Sequence, residues 1–265
     1  MPDPLAIEMG NDVSLIFHQQ GNIPTSIFIA DPIEFAELVD ALEGFLDQQI
    51  DPRGIPPPHL AQSPYYNKLY WILSLEEKSK DYAERLAQVY RAGSQVSGYG
   101  HYPEVYPFNA PKNSLKNTLT PQLQVIAKHL SGGCKTKVFL IQTGGFDRHA
   151  NQVESYDPTM GSHAALMYHI STVMSAFQGD LKKRGLEDRV LTITTSEFGR
   201  RIYSNGSYGT DHGTGGPMFI FGKGVKGGVV GKVPDLTKGN VEMQYDYRVI
   251  YGNIVKTGIL CRTTS

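Results

Sequence analysis

The hydrophobic and polar positions fall into two regimes along this chain. In the first half, Val13 to Phe17 and Ser26 to Ala30 read as short strands separated by a turn at Gly21-Asn22. Asp31-Pro32 then reads as an N-cap followed by a proline at the first helical position. Phe35, Leu38, Leu42 and Phe45 follow at helical spacing. The run Asp51 to Pro58 breaks the pattern, because successive prolines cannot continue a helix. From about Pro64 to Ala92, apolar residues at Leu69, Ile72, Leu75, Tyr82, Leu86 and Val89 predict one long helix or two. Gly93 to Lys112 is a loop rich in Gly, Pro and Tyr. A further helix, Ser114 to Leu130, stops at Gly132-Gly133.

From Lys137 onward the rhythm becomes strand, loop, helix. The run Lys137 to Gln142 is almost wholly apolar. His163 to Leu181 is a helix with Leu166, Ile170, Val173, Met174, Phe177 and Leu181 on one stripe, ended by Gly185. Arg189 to Thr195 and Met218 to Gly222 are the next strand-like runs. Strands apolar on both faces, alternating with amphipathic helices, predict an α/β fold with a largely parallel sheet covered by helices on both faces. The expected organisation is a single α/β domain over residues 1–265, with a helical and loop insertion at 52–112.

Composition narrows the function. Forty per cent hydrophobic and 19% charged residues allow a sizeable core in a chain of 265 residues. A net charge of −1, without a long basic or acidic run, argues against nucleic acid or an anionic membrane as partner. No apolar run has the length of a membrane span. The first thirteen residues hold neither the basic nor the hydrophobic segment of a secretion signal. Cys134 and Cys261 lie far apart, outside any paired motif.

Three polar blocks border the strand-like runs. Gly144-Gly145-Phe146-Asp147-Arg148-His149 follows the first, Ser196-Glu197-Phe198-Gly199-Arg200 follows the second, and Gly209-Thr210-Asp211-His212-Gly213 precedes the third. Ligands of open parallel sheets bind beyond the carboxyl ends of the strands, so Asp147, His149, Glu197 and His212 are expected to meet there. Asp211 is a candidate extra ligand. Imidazoles mixed with carboxylates suit zinc, manganese or iron. Each residue has a structural alternative. Asp147 can cap a turn, Glu197 can pair with Arg200 or Arg201, and His212 can be an ordinary loop histidine. His163 reads as a core-edge histidine, and His18, His59, His101, His129 and His169 as structural or exposed. The glycine-rich run Gly222 to Gly228 lacks the order of a phosphate loop, and no G-x-S-x-G elbow is present.

These blocks resemble a family, the bacterial domain-of-unknown-function 1501 proteins of the alkaline phosphatase and sulfatase superfamily. The matching pieces are GGFDRHANQ (Gly144 to Gln152), AFQGDL (Ala176 to Leu181), TSEFGRR (Thr195 to Arg201) and GTDHGTGG (Gly209 to Gly216). VKGGVVGKVPDL (Val225 to Leu236) and DYRVIYGNI (Asp246 to Ile254) extend them, giving continuous coverage from about Pro103 to Ile254.

The resemblance implies an alkaline-phosphatase-like fold in which Asp147, His149 and His212 hold one metal. The second metal's Asp-His pair corresponds here to Glu197-Phe198, so the carboxylate is kept and the imidazole is not. The superfamily's first metal-binding aspartate and its hydroxyl or formylglycine nucleophile belong to upstream segments. A chain partial at its N-terminus is therefore expected. Cys134 lacks the C-x-P-x-R pattern of a formylglycine precursor, and Thr195 and Ser196 lack an identified base. Secretion signals occur in family members, which implies a periplasmic or secreted full-length parent.

The leading expectation is a metal-dependent hydrolase acting on a small anionic substrate, a phosphate or sulfate ester. A divalent metal, zinc first and manganese or calcium as alternatives, would act as Lewis acid. Glu197 would serve as base or second-metal ligand, and Arg200 with Arg201 as anion clamp. The alternative is a catalytically silent, secreted binding or assembly protein of the same fold. A third reading, an incomplete gene product with an exposed sheet edge, is compatible with the first for its parent.

Overall fold

A computed structural model describes residues 3–9, 17, 26–46, 64, 66, 81–94 and 101–256. The expected Val13 to Phe17 strand apart from Phe17, the turn at Gly21-Asn22 and the break at Asp51 to Pro58 lie outside the described residues. So does most of the expected insertion at 52–112. The chain divides into two compact units, residues 1–97 with 121–142, and residues 98–120 with 143–265.

The first unit is built on a three-stranded parallel sheet in the order β2-β1-β3. Its strands are β1 (Ala6–Met9), β2 (Ser26–Phe28) and β3 (Val138–Ile141). β1 is central, pairing Ala6 with Ser26 on one side and with Val138 on the other. Ala6, Ile7, Glu8 and Met9 are all buried, as a central strand covered on both faces requires. The hydropathy pattern does not predict this strand, because Glu8 interrupts a run of only four residues. In the fold Glu8 is satisfied by the Ser26 hydroxyl, which donates to its Oε1 at 2.6 Å.

Helix α1 (Pro32–Leu46) begins where Asp31-Pro32 predicts. Asp31 Oδ1 accepts from the backbone N–H of Ile33 at 2.7 Å and of Glu34 at 3.1 Å, the N-cap geometry. Ala36 packs with Ala83 and Ala87 of α2 (residues 81–92). The expected helix at Ser114 to Leu130 is broken instead into α3 (Lys112–Leu115) and α4 (Leu119–Ser131). Asn117 sits in the break, its side-chain oxygen accepting from the Leu119 N–H at 3.1 Å. A cap inside a continuous apolar periodicity is easily overlooked in sequence. α4 ends as predicted: Cys134 N–H reaches His129 C=O at 3.1 Å and Gly133 N–H reaches Leu130 C=O at 3.2 Å, with Gly133 left-handed at φ 88°.

The second unit centres on α5 (Ser162–Lys183). Leu166, Val173, Met174, Phe177 and Leu181 of the predicted stripe are buried, and Ile170 is half-buried beside the buried His169. Buried Asp180 accepts from the Tyr102 hydroxyl at 3.0 Å and from Arg184 Nε at 2.7 Å. The remaining strands are short: β4 (Thr192–Ile193), β5 (Gly199–Arg200), β6 (His212–Gly213) and β7 (Ile220–Phe221). β4 pairs with β7 and β5 with β6, both antiparallel.

The fold is therefore α/β with a small parallel sheet. The expectation that Arg189 to Thr195 and Met218 to Gly222 extend that sheet is corrected: among the described residues they form an antiparallel pair. Apolar runs of this length carry no information about strand direction, which is set by the connecting loop. α6 (Tyr247–Lys256) closes the described chain. Among the described residues no helix is long and apolar enough to cross a membrane.

His129, only 2% exposed, packs its ring 5.3 Å from that of Tyr90, and its Nδ1–H donates to Val125 C=O at 2.9 Å. Burial pushes its pKa below the ordinary imidazole value, and burial with the nearby Arg200 charge does the same to His163. The unfolded chain takes up these protons near pH 6.5, before the folded chain does. Stability is therefore full above that pH and falls on acidification, by at most about 1.4 kcal/mol per pH unit for each histidine. Urea unfolding followed at pH 7.5 and 5.5 should show this loss, and His129→Gln should reduce it.

Candidate metal centre

The antiparallel β5–β6 pair sets Arg200 directly opposite His212 and Gly199 opposite Gly213. Arg200 then ties three chain segments together. Its Nη1 donates to Thr210 C=O at 2.6 Å and its Nη2 to Phe146 C=O, joining the loop after β3 to the segment entering β6. Arg201 N–H adds a bond to Asp211 C=O at 3.0 Å. Two charge-assisted bonds from one planar guanidinium hold the Phe146 and Thr210 backbones in a set geometry.

On that frame, Asp147, His149 and His212 converge, with one ligand-capable atom of each within 4.8 Å of the others. His212 Nε2 lies 2.7 Å from Asp147 Oδ1, and His149 Nε2 lies 3.4 Å from the same oxygen. The imidazole centroids are 4.8 Å apart. Donor atoms around a tetrahedral ion with bonds of about 2.0–2.1 Å stand roughly 3.3 Å apart. The His149–Asp147 spacing already matches, while His212 and Asp147 are in hydrogen-bond contact at 2.7 Å and need to part by about 0.6 Å. Two imidazole nitrogens and one carboxylate oxygen suit zinc or manganese better than calcium, which prefers oxygen alone. The residues fit a divalent transition metal.

The electrostatics are those of an open site. All three side chains are substantially exposed, Asp147 at 64%, His149 at 54% and His212 at 44%. Asp147 titrates below the usual carboxylate range, chiefly because of the His212 hydrogen bond and further through the His212, His149 and Arg200 charges. Arg200 Nη2 is 3.7 Å from Asp147 Oδ1. Phe198 lies flat on the His212 imidazole, with centroids 3.8 Å apart and planes 8° from parallel, and the Arg200 guanidinium stands 5.0 Å from its ring centre.

A model of the family described as a protein of unknown function (DUF1501) matches residues 119–259. The chain belongs to this DUF1501 family. No curated protein and no solved structure matches the chain. The matched span runs from α4 into the segment after α6 and includes every site residue. It starts later than the resemblance read from Pro103.

Within this DUF1501 chain the remaining candidates sit around the cluster rather than in it. Among the described residues, no hydrogen bond or ion pair joins the exposed Glu197 to Asp147, His149 or His212. Asp211 contacts His149 from the opposite side of the ring, Nδ1 to Oδ1 at 3.3 Å. Ser196 donates its hydroxyl to Phe198 C=O at 2.9 Å, which commits that proton to a carbonyl rather than a base. His163 stands edge-on to Phe146 at 6.4 Å, supporting the loop that carries Asp147.

Sequence reasoning did not single out Asn205, which donates to His149 C=O at 2.6 Å and to Asp211 Oδ1 at 3.3 Å. It placed Gly209 within the third polar block but assigned it no role, although a glycine two residues before an Asp-His pair is a visible signal. A Cβ at Gly209 would fall 2.4 Å from His149 C=O and 2.8 Å from Ala150 N. Gly209→Ala is therefore expected to push the His149 loop away and cost about 1–3 kcal/mol by overpacking. Thermal unfolding would measure the loss, and His149 ring proton shifts the displacement.

Proposed function

We propose that this protein is a metal-dependent hydrolase of the alkaline phosphatase and sulfatase superfamily, with that superfamily's fold, acting on a small phosphate or sulfate ester. The observation that carries the reading is the convergence of His149 Nε2, His212 Nε2 and Asp147 Oδ1 from segments 65 residues apart in sequence. These three atoms would hold one divalent ion, zinc or manganese, with Asp147 supplying the negative charge. When bound, such an ion supplies Lewis acidity to an ester oxygen and lowers the pKa of a coordinated water.

The chain's own residues account for the rest. Arg200, held by the Phe146 and Thr210 carbonyls, fixes the ligand loops and places a positive charge beside Asp147. Arg201, exposed next to Asp211, offers a fork to the anionic group of the ester. Glu197, exposed just before β5, is the carboxylate that would accept a proton from the attacking water or support a second metal. Phe198 holds the His212 ring plane by stacking, so that Nε2 keeps its aim.

One observation favours a second reading, a metal-holding binding protein without turnover. Phe198 stands where the superfamily carries an imidazole, which removes a ligand from the second metal position, and Glu197 is not joined to the cluster.

Calorimetric titration with Zn²⁺ and Mn²⁺ should give one ion per chain, and His212→Ala or Asp147→Ala should abolish that binding. A panel of phosphate and sulfate esters should be hydrolysed only by the metal-loaded protein. Absence of metal binding removes both readings. Binding without turnover, unaffected by Glu197→Gln, selects the second.

A further inference from the structure

His149 stands between two carboxylates. Its Nε2 faces Asp147 Oδ1 at 3.4 Å, and its Nδ1 faces Asp211 Oδ1 at 3.3 Å. The imidazole therefore separates Asp211 from Asp147, and Asp211 is absent from the three-donor cluster. Asp211 is itself held. Its Oδ1 accepts from Asn205 Nδ2 at 3.3 Å, and that same amide nitrogen donates to His149 C=O at 2.6 Å. Arg201 N–H anchors the Asp211 carbonyl at 3.0 Å, and Asn205 N–H reaches Gly209 C=O at the same distance.

We propose that Asp211 is not a ligand but a positioning residue that selects the tautomer and ring orientation of His149, with Asn205 aligning its carboxylate. A neutral imidazole carries one N–H, and only the other nitrogen can donate a lone pair to a metal. A carboxylate at Nδ1 accepts that N–H and leaves the Nε2 lone pair facing Asp147 and His212. Partners of this kind fix metal-binding histidines and raise their basicity, and removing one costs 10–100-fold in metal affinity. The inference rests on the reading that Asp147, His149 and His212 bind a divalent ion, but its central claim concerns the metal-free protein.

The test therefore has two readouts. Long-range ¹H–¹⁵N spectra of ¹⁵N-histidine-labelled, metal-free protein report the His149 tautomer directly, and Zn²⁺ titration reports affinity. Wild-type His149 is expected as the Nδ1–H form. Asp211→Ala should move it to a mixture or to the Nε2–H form, leave the His212 signals in place, and weaken Zn²⁺ binding about 10–100-fold. Asp211→Asn keeps the side-chain size and guards against misfolding. It should weaken binding less than alanine, and Asp211→Glu should restore part of the tautomer preference. An unchanged tautomer in Asp211→Ala overturns the proposal. If Zn²⁺ binding is then also abolished, Asp211 is a ligand. A wild type that binds no Zn²⁺ defeats the metal reading alone, and the tautomer spectra still decide the role of Asp211.

Discussion

The candidate centre depends on the guanidinium of Arg200. One residue of a two-residue strand faces His212 across the β5–β6 pair and donates to the carbonyls of Phe146 and Thr210. Through those carbonyls it sets the backbones that carry Asp147 on one side and Asp211 and His212 on the other. Exposed ion pairs alone are weak, so the convergence of these three exposed side chains relies on that backbone frame. Lysine could not replace it, since a single ammonium cannot span both carbonyls with a planar fork.

The supporting contacts follow the same logic of backbone held by backbone and short polar side chains. Asn205 grips the His149 carbonyl, and Gly209 allows that carbonyl within a distance no Cβ would tolerate. Asn151 N–H and Gln152 N–H bond the Ser207 and Tyr208 carbonyls, lacing the segment after His149 to the loop before His212. An open site built this way keeps its polar side chains hydrated and accessible, and relies on loop geometry rather than on a packed core. The nearby hydrophobic support is Phe198, whose stacking on His212 fixes that ring's plane.

Buried polar groups in both units show how the cores accommodate their exceptions. Glu8 in the central strand is met by Ser26, and Asp180 in the main helix by Tyr102 and Arg184. His169 Nε2 is bonded to the Ser114 carbonyl at 2.9 Å. Each pairing joins residues that local sequence does not mark as partners, except Asp180 and Arg184, one helical turn apart.

Periodicity and end signals alone determined α1, α5 and the stops at Gly133 and Gly185, because a cap or a left-handed glycine acts within a few residues. The strand runs of β3, β4 and β7 were legible as apolar stretches, and Asp147, His149 and His212 as metal-capable types flanking them. Tertiary structure decided the rest. β1 was hidden by a buried glutamate, which a distant serine helps to satisfy. The direction of β4 and β7 was undetermined, since direction resides in the connections and not in the apolar pattern. Which of five candidate ligands share a point in space was also undetermined: Glu197 and Asp211 have the same chemistry as Asp147. The cross-strand pairing, the Arg200 bonds and the Asn205 bridge set Asp147 beside the two imidazoles and Asp211 behind one of them.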